Sequence, residues 1–340
     1  MIQKIINHYS TLPILVREFE IYSRKSSYKD LPNEGLWLRW IRGGLGYSLK
    51  ELSCIGRCEH PLKLNAKYGC QVTGCSFAQD FLNSFAPTSS PTPYRLSLLT
   101  PKLNVKRVGA VHRHSFTLTL FGQSIEHFTV WHLAVQRTLL VGLGKNQESY
   151  LIDRVIDSFT QKTLWSVHPL DPRPQSGLPN KKTPPTLAHF LEKNSSLGYI
   201  PRQVQVTFLT AVETKLLDSI DRNAPLSISL EHLILLIIRR LKALNDIYNH
   251  EFKSANHSHM ISRQMIKHLC QGSRVKLARL ERRPIARRGG PIRMVGNILY
   301  ALPTSKESTL LIAKILHIGQ LIGIGRGTIE GRGSLGLRFS

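Results

Sequence analysis

The chain has 340 residues, 41% hydrophobic and 20% charged, which is enough to form roughly two domains with buried cores. Its 46 Lys and Arg against 22 Asp and Glu give a formal net charge of +24. So large an excess indicates a polyanionic partner such as nucleic acid rather than a protein that is merely basic. The longest apolar run, Leu233–Ile238, is too short to span a bilayer, and the N-terminus lacks a signal-peptide pattern. We therefore expect a cytoplasmic protein.

The first half of the chain predicts two strands and two helices. Pro13–Tyr22 is strand-like, and Leu36–Leu52 has apolar residues at steps of three and four, which is typical of a helix. Ser115–Phe121 predicts a second strand that ends at Gly122, and a second helix follows at about residues 125–140.

One side of the predicted helix Leu36–Leu52 combines cations with small residues. Its members are Arg39, Arg42, Gly43, Gly46 and Lys50, with Tyr47 beside them. Small residues between cations would leave a shallow path for a phosphate backbone. Alternatively, the glycines only allow close packing against a sheet, and both interpretations can hold together.

Cysteine and histidine residues give a weaker signal. Cys54, Cys58, Cys70 and Cys75 are four candidate zinc ligands near His60, but neither pair has C-x2-C spacing, so structural zinc and free thiols both remain open. Cys270 is expected in the core or at an interface. His112 and His114 precede a predicted strand and would share one side of it. The histidines at 232, 250 and 317 lie beside apolar helices, where core positions are expected.

A proline-rich stretch separates the two halves. Seven prolines between Ser166 and Pro201 disfavour a helix or a central strand. We predict an N-terminal domain over 1–165 with a cysteine-containing insertion, a linker over 166–202, and a C-terminal domain over 203–340.

The second half repeats the order of the first. Gln203–Leu209 alternates as a strand does, and Leu230–Tyr248 predicts a long helix with Ser229 as its N-cap. Strand then helix in two successive halves predicts two α+β modules.

A basic region from Arg263 to Arg293 is the first of two candidate polyanion-binding segments in this half. It contains one acid, Glu281, and many cations: Lys267, Arg274, Lys276, Arg279, Arg282, Arg283, Arg287 and Arg288. If its middle is helical, Lys276, Arg279 and Arg283 share one face. The alternative is an ordinary solvated basic helix.

The second candidate is the C-terminal segment from His317 to Ser340, where glycines and arginines interleave. Glycine lets backbone N–H groups approach a phosphate, and arginine supplies a charged fork. Apolar residues such as Leu335 and Phe339 indicate a folded loop and short strand rather than a flexible tail. The loop residues expected at the polyanion are Gly323, Gly325, Arg326, Gly327, Thr328, Gly331, Arg332 and Gly333.

Five elements in order give the chain a resemblance to a known family. They are Arg42–Gly46 followed by Tyr47–Lys50, then Pro93–Leu96, then Leu120–Gly122 with Gly142–Lys145, then Thr207–Thr210, and last the glycine-rich loop. In this order they resemble the CRISPR-associated endoribonucleases of the RAMP superfamily, antiviral-defence proteins that process precursor crRNA.

The resemblance implies an α+β fold of two tandem ferredoxin-like (RRM-like) domains with a C-terminal glycine-rich loop. It also implies binding of CRISPR repeat RNA and cleavage by attack of a ribose 2′-OH, without a catalytic metal or cofactor. Other subunits of a CRISPR effector complex are further expected partners. The catalytic groups would lie on or after the first helix: Arg39, Arg42 and Tyr47, with His60, His112 or His114 as base or acid. Lys50, the basic region and the loop would bind RNA.

Two other functions fit the same sequence. A related RAMP protein could hold RNA as a non-catalytic subunit of an effector complex. A DNA- or rRNA-binding protein unrelated to CRISPR would also be strongly basic, but its affinity would not depend on a repeat hairpin.

Overall fold

The structure, a computed structural model, describes residues 2–23, 34–54, 77–81, 91–97, 106–108, 111–166, 185–194, 199–213, 226–249, 261–283, 293–325, 328 and 332–340. Its helices are α1 (Ile2–Tyr9), α2 (Glu34–Ser53), α3 (Phe128–Val141), α4 (Leu187–Asn194), α5 (Leu230–Tyr248), α6 (Arg263–Leu269) and α7 (Lys306–Ile322). Its strands are β1 (Ile14–Ser23), β2 (Tyr94–Ser97), β3 (Lys106–Val108), β4 (Val111–Phe121), β5 (Leu151–Asp157), β6 (Thr163–Ser166), β7 (Gln203–Glu213), β8 (Arg274–Arg283), β9 (Arg293–Ala301) and β10 (Leu335–Phe339). A π-helical turn (Phe77–Phe81) and a 3-10 turn (Gly122–Ile125) lie between them.

The chain divides into two compact units. One contains residues 13–184, and the other contains residues 1–12 and 185–340. The division within the proline-rich stretch falls inside the predicted linker. The first twelve residues, however, join the second unit, where the Leu187 amide donates to the Leu12 carbonyl at 3.0 Å and Asn249 Nδ2 donates to Thr11 Oγ1 at 2.9 Å. The proline-rich stretch also contains the helix α4. Its prolines disfavoured a helix, but α4 fits between Pro185 and Pro201.

The unit of residues 13–184 has a ferredoxin-like order of elements. Its strands run β2-β4-β1-β5-β6, with β3 also on β4, and neighbouring strands are antiparallel. Helix α2 follows β1 and α3 follows β4, which gives the βαββαβ pattern with the first strand in the middle of the sheet. Phe19 stacks on Phe116 with ring centroids 5.2 Å apart, and Trp37 from α2 meets Phe116 at 5.7 Å, so apolar burial joins helix to sheet.

The other unit repeats that order. Its sheet runs β10-β7-β9-β8, with α5 after β7 and α7 after β9. Ser229 caps α5 as predicted, since its hydroxyl accepts from the His232 amide at 3.2 Å. Both units therefore have the expected ferredoxin-like topology, and the predicted fold class is confirmed.

Two segments differ from their predicted local structure. The middle of the basic region is the strand β8 and not a helix, because Val275 and Ala278 pair with buried Tyr300 and Ile298 of β9. The first six residues of the C-terminal segment, 317–322, complete helix α7, so Leu321 and Ile322 are helical residues rather than part of the loop.

Candidate nucleic-acid interface

Helix α2 presents a cationic surface in the unit of residues 13–184. Arg39 is exposed, Tyr47 is 63% exposed, and Lys50 is partly buried. A Cβ added at Gly43 would meet nothing within 4 Å, so this position is open. The guanidinium of Arg42 lies 5.7 Å from the centre of the Phe81 ring, where the aromatic face attracts a cation.

Gly44 and Gly46 of α2 serve packing. A Cβ at Gly46 would lie 2.6 Å from the Phe81 ring, and one at Gly44 would collide with Thr138 of α3. The predicted open path therefore does not include Gly46, because the Phe81 ring covers it. The packing interpretation is confirmed at Gly44 and Gly46, and the path for a phosphate backbone stays a prediction that Gly43 leaves open.

A buried carboxylate fixes the turn that carries Phe81, and sequence reasoning missed it. Asp80 is 3% exposed and accepts from Ser124 Oγ at 2.5 Å, His127 Nδ1 at 2.9 Å and Trp131 Nε1 at 3.1 Å. These bonds hold the π-helical turn against the start of α3. Ser124 donates to the carboxylate and not to the histidine, so the group lacks the order of a nucleophile–base pair. We interpret Asp80 as the residue that positions Phe81.

The histidine candidates differ in position. His114 is 2% exposed, with its ring centre 6.0 Å from that of Trp37 and 5.9 Å from that of Tyr150, and this burial argues against proton transfer to a substrate. His112 pairs with Ser23 through the β1–β4 ladder. His60 lies outside the described residues.

The second unit has a polar sheet face on the side away from α5 and α7. Buried Met294, Ile298 and Tyr300 of β9 alternate with residues of that face, and the ladders place its members directly opposite one another across the strands. We call its polar members the polar sheet face: Gln205, Thr207, Arg279, Asn297 and Arg338. The apolar Leu277 and Leu299 lie on the same side of the sheet. Arg279 and Arg338 are exposed.

The remaining cations of the basic region are distributed around β8. Lys276 is exposed and lies at the register shift between Val275 and Leu277, where the strand bulges. Arg283 of β8 lies opposite Arg293 of β9 in the strand ladder. Arg282 and Arg293 are both partly buried. Arg287 and Arg288 lie outside the described residues.

The glycine-rich loop begins where α7 ends. Gly323 caps the helix with φ of 74°, and Gly325 also has φ of 74°, a conformation that favours glycine. The loop closes on itself, since the Ile324 amide donates to the Gly333 carbonyl at 3.0 Å. Gly333 has φ of 68°, and a Cβ there would collide with the Ile324 carbonyl.

The end of the loop is bound to β7. The Gly333 amide donates to the Ala211 carbonyl at 3.2 Å, and the Ser334 amide donates to Thr210 Oγ1 at 2.9 Å. Thr328 is buried and Arg332 is partly buried, while Arg326, Gly327 and Gly331 lie outside the described residues. The predicted short strand is β10 (Leu335–Phe339), and the described loop residues lie between α7 and this strand.

Of the four candidate zinc ligands, only Cys54 lies among the described residues. Cys54 is partly buried, and Cys58, Cys70 and Cys75 lie outside the described residues. Within the described part of the chain, no three His, Cys, Asp or Glu side chains are placed to hold a metal ion. Cys270 is buried, as expected. No helix among the described residues is long and apolar enough to cross a membrane.

The architecture can be compared with known proteins. The family model AF_1859_N, described as an N-terminal domain, matches residues 36–175, less than half of the chain. A chain of a partial Cas6-RT-Cas1–Cas2 complex is 14% identical, with a TM-score of 0.54 over 97% of this protein and 47% of that chain. A chain of the Cas6-RT-Cas1–Cas2 complex has the same identity and TM-score, with 97% and 29% covered.

The protein has a Cas6-like fold. It spans about half or less of these two longer chains. Thermus thermophilus Cas6 is 16% identical, with a TM-score of 0.48 over 96% of this protein and 99% of that one. No curated protein sequence matches this one. At such identities the likeness establishes the fold, and function must be argued from the site.

Proposed function

We propose that this protein is a metal-independent endoribonuclease that binds CRISPR repeat RNA and cleaves precursor crRNA. The observation that carries the proposal is the glycine-rich loop, which has left-handed glycines at 323, 325 and 333 in a chain of this fold with a net charge of +24. Such a loop lets the RNA backbone approach closely, and the charge favours a polyanion.

Three groups of cations would hold the RNA. Lys50 would bind it on α2, and Arg332 with the rest of the loop would bind it at the C-terminus. The polar sheet face and the basic region supply the largest group: Lys276, Arg279, Arg282, Arg283, Arg287, Arg288 and Arg293. Phosphate contacts of this kind give affinity without reading sequence, so we assign recognition of the hairpin to its shape.

Cleavage would use the surface of α2. The 2′-OH next to the scissile phosphate attacks phosphorus as a base removes its proton, the bond to the 5′ oxygen breaks, and an acid protonates the leaving oxygen. Arg39 and Arg42 would stabilise the charge on the phosphorane, since Arg42 is held at Phe81. Tyr47 is exposed and would transfer a proton, with His112 or His60 as the partner.

The α2 surface is tested by single-turnover cleavage measured together with RNA affinity. Arg42→Ala and Tyr47→Phe should each lower the cleavage rate by about 10²-fold or more while affinity changes little. Arg137→Ala is the control, because Arg137 is an exposed arginine of the same unit that pairs with Glu51 at 2.6 Å. Wild-type rates in Arg39→Ala, Arg42→Ala and Tyr47→Phe would move the active site elsewhere.

A non-catalytic RNA-binding subunit is the second candidate. The burial of His114 between Trp37 and Tyr150 favours it, because this removes one of the three nominated histidines from contact with RNA. The same assay separates the two functions. A subunit of this kind would bind repeat RNA with wild-type salt dependence and leave it intact.

Two states remain open for Cys54, Cys58, Cys70 and Cys75, and we propose to distinguish them by metal analysis. The four residues either bind one structural zinc ion or remain thiols. If they bind zinc, metal analysis should find about one equivalent, and Cys58→Ser should lower both metal content and stability. Fully folded protein without metal would decide for thiols.

A further inference from the structure

A partly buried arginine, whose Nη2 atom is fully buried, lies at the start of the glycine-rich loop. Arg240 projects from α5, and its Nε donates to the carbonyl of Ile322 at 2.8 Å. Ile322 is the last residue of α7, and Gly323 caps that helix. Arg240 therefore contacts the backbone at the point where the loop begins.

Arg240 pairs with no carboxylate within the described part of the chain, where its electrostatic neighbour is the Tyr248 phenol. Its Nη2 is buried and has no hydrogen-bond partner there. The described ion pairs in this unit join Lys242 to Asp246 and Arg263 to Glu231, and neither includes Arg240. Burial lowers the pKa of the Arg240 guanidinium to about 10, so the group remains charged at neutral pH.

The hydrogen bond from Arg240 to the end of α7 does not by itself require a charged donor. The free carbonyls at the end of α7 attract a cation, but a neutral amide would also donate a hydrogen bond to Ile322. A buried charge that lacks a carboxylate costs free energy in the RNA-free protein. That cost is offset if binding brings a negative group close to the guanidinium.

We propose that Arg240 is a positioning residue for RNA, a fixed positive charge behind the glycine-rich loop whose counter-charge is a phosphate of the bound strand. The inference rests on the proposed RNA binding. Arg240 acts through the backbone of Gly323 to Gly325 without itself touching the RNA. A charge in a poorly solvated site is weakly screened, so its field still acts on a phosphate on the loop.

Substitutions that separate charge from hydrogen bonding test this role. Arg240→Gln keeps an N–H donor and removes the charge, whereas Arg240→Lys keeps the charge. Binding of a repeat-hairpin RNA is measured for both variants and for Arg239→Gln, which removes the charge of the exposed neighbouring residue. We expect Arg240→Gln to bind about tenfold more weakly, while Arg240→Lys and Arg239→Gln stay within about twofold of wild type.

Urea unfolding without RNA provides the second readout. We expect Arg240→Gln to be at least as stable as wild type, because the uncompensated charge is gone. Wild-type affinity in Arg240→Gln, or equal losses in the Gln and Lys variants, would overturn the inference. So would failure of Arg240→Gln to fold, since the charge would then stabilise the RNA-free protein. Wild-type protein that does not bind RNA would refute the proposed function itself.

Discussion

His132 is a core histidine that should make stability depend on pH. Its ring lies 5.9 Å from Phe19, 6.1 Å from Phe128 and 5.8 Å from Trp165, measured between ring centres. Burial lowers the pKa of His132, so the unfolded chain, with a histidine pKa of about 6.5, takes up the proton first. Stability is therefore retained above pH 6.5 and is lost as the pH falls below it.

The prediction for His132 concerns how steeply the free energy of unfolding falls with decreasing pH. Below about pH 6.5 the wild-type free energy of unfolding should fall by up to about 1.4 kcal/mol per pH unit for this proton. His132→Phe should show a shallower slope in urea unfolding between pH 5 and 7. His268→Gln, at an exposed position of α6, should keep the wild-type slope. An unchanged slope in His132→Phe would show that His132 does not cause this pH dependence of stability.

Gly325 allows a direct test of the loop as an RNA contact. Gly325→Asp adds bulk and a negative charge at φ of 74°, and we expect RNA affinity to fall roughly tenfold or more. Gly272→Asp is a matched control in the same unit, because Gly272 has φ of 84° and open space around its Cβ position. It should keep wild-type affinity. Equal affinity of folded Gly325→Asp and wild type would remove the loop from the RNA site.

At the scale of elements, the sequence predicts long segments better than short ones. Leu230–Tyr248 was predicted with its N-cap because Ser229 precedes a strongly periodic apolar pattern. Strand β8 was missed because arginines and lysines occupy so many of its positions that the spacing also fits a helix. Its pairing with Met294, Ile298 and Tyr300 decides for a strand, and these contacts are not local in sequence.

The strand geometry of β8 leads to a prediction for Arg279. Arg279 is exposed on the polar sheet face, so Arg279→Ala should weaken RNA binding and make the slope of log affinity against log salt less steep by about 0.7 to 0.9, one phosphate contact. Arg239→Ala removes an exposed arginine from α5, which is not on that face, and should leave the slope unchanged. Equal slopes for Arg279→Ala and wild type would exclude the polar sheet face as an RNA-binding surface.

At the scale of the whole molecule, the order of strands and helices predicted two α+β modules, and the family resemblance implied that each is ferredoxin-like. The role of the first twelve residues was not predictable, because it depends on the bond between Asn249 and Thr11, more than 200 positions apart in the chain. For the same reason Asp80 was missed as the residue that fixes Phe81, since its partners lie 44 to 51 residues away. Candidate site residues follow from charge and glycine patterns, whereas burial, as at His114, follows only from the fold.

The central claim is metal-free cleavage of repeat RNA by a neighbouring 2′-OH. The most direct test incubates the protein with repeat RNA in excess chelator, beside the same RNA with a single 2′-deoxy substitution upstream of the cut. We expect full cleavage of the unmodified RNA with chelator present. We also expect the deoxy RNA to stay intact and to bind with unchanged affinity, because only the nucleophile is missing. Cleavage of the deoxy RNA, or loss of all cleavage on adding chelator, would rule out this mechanism.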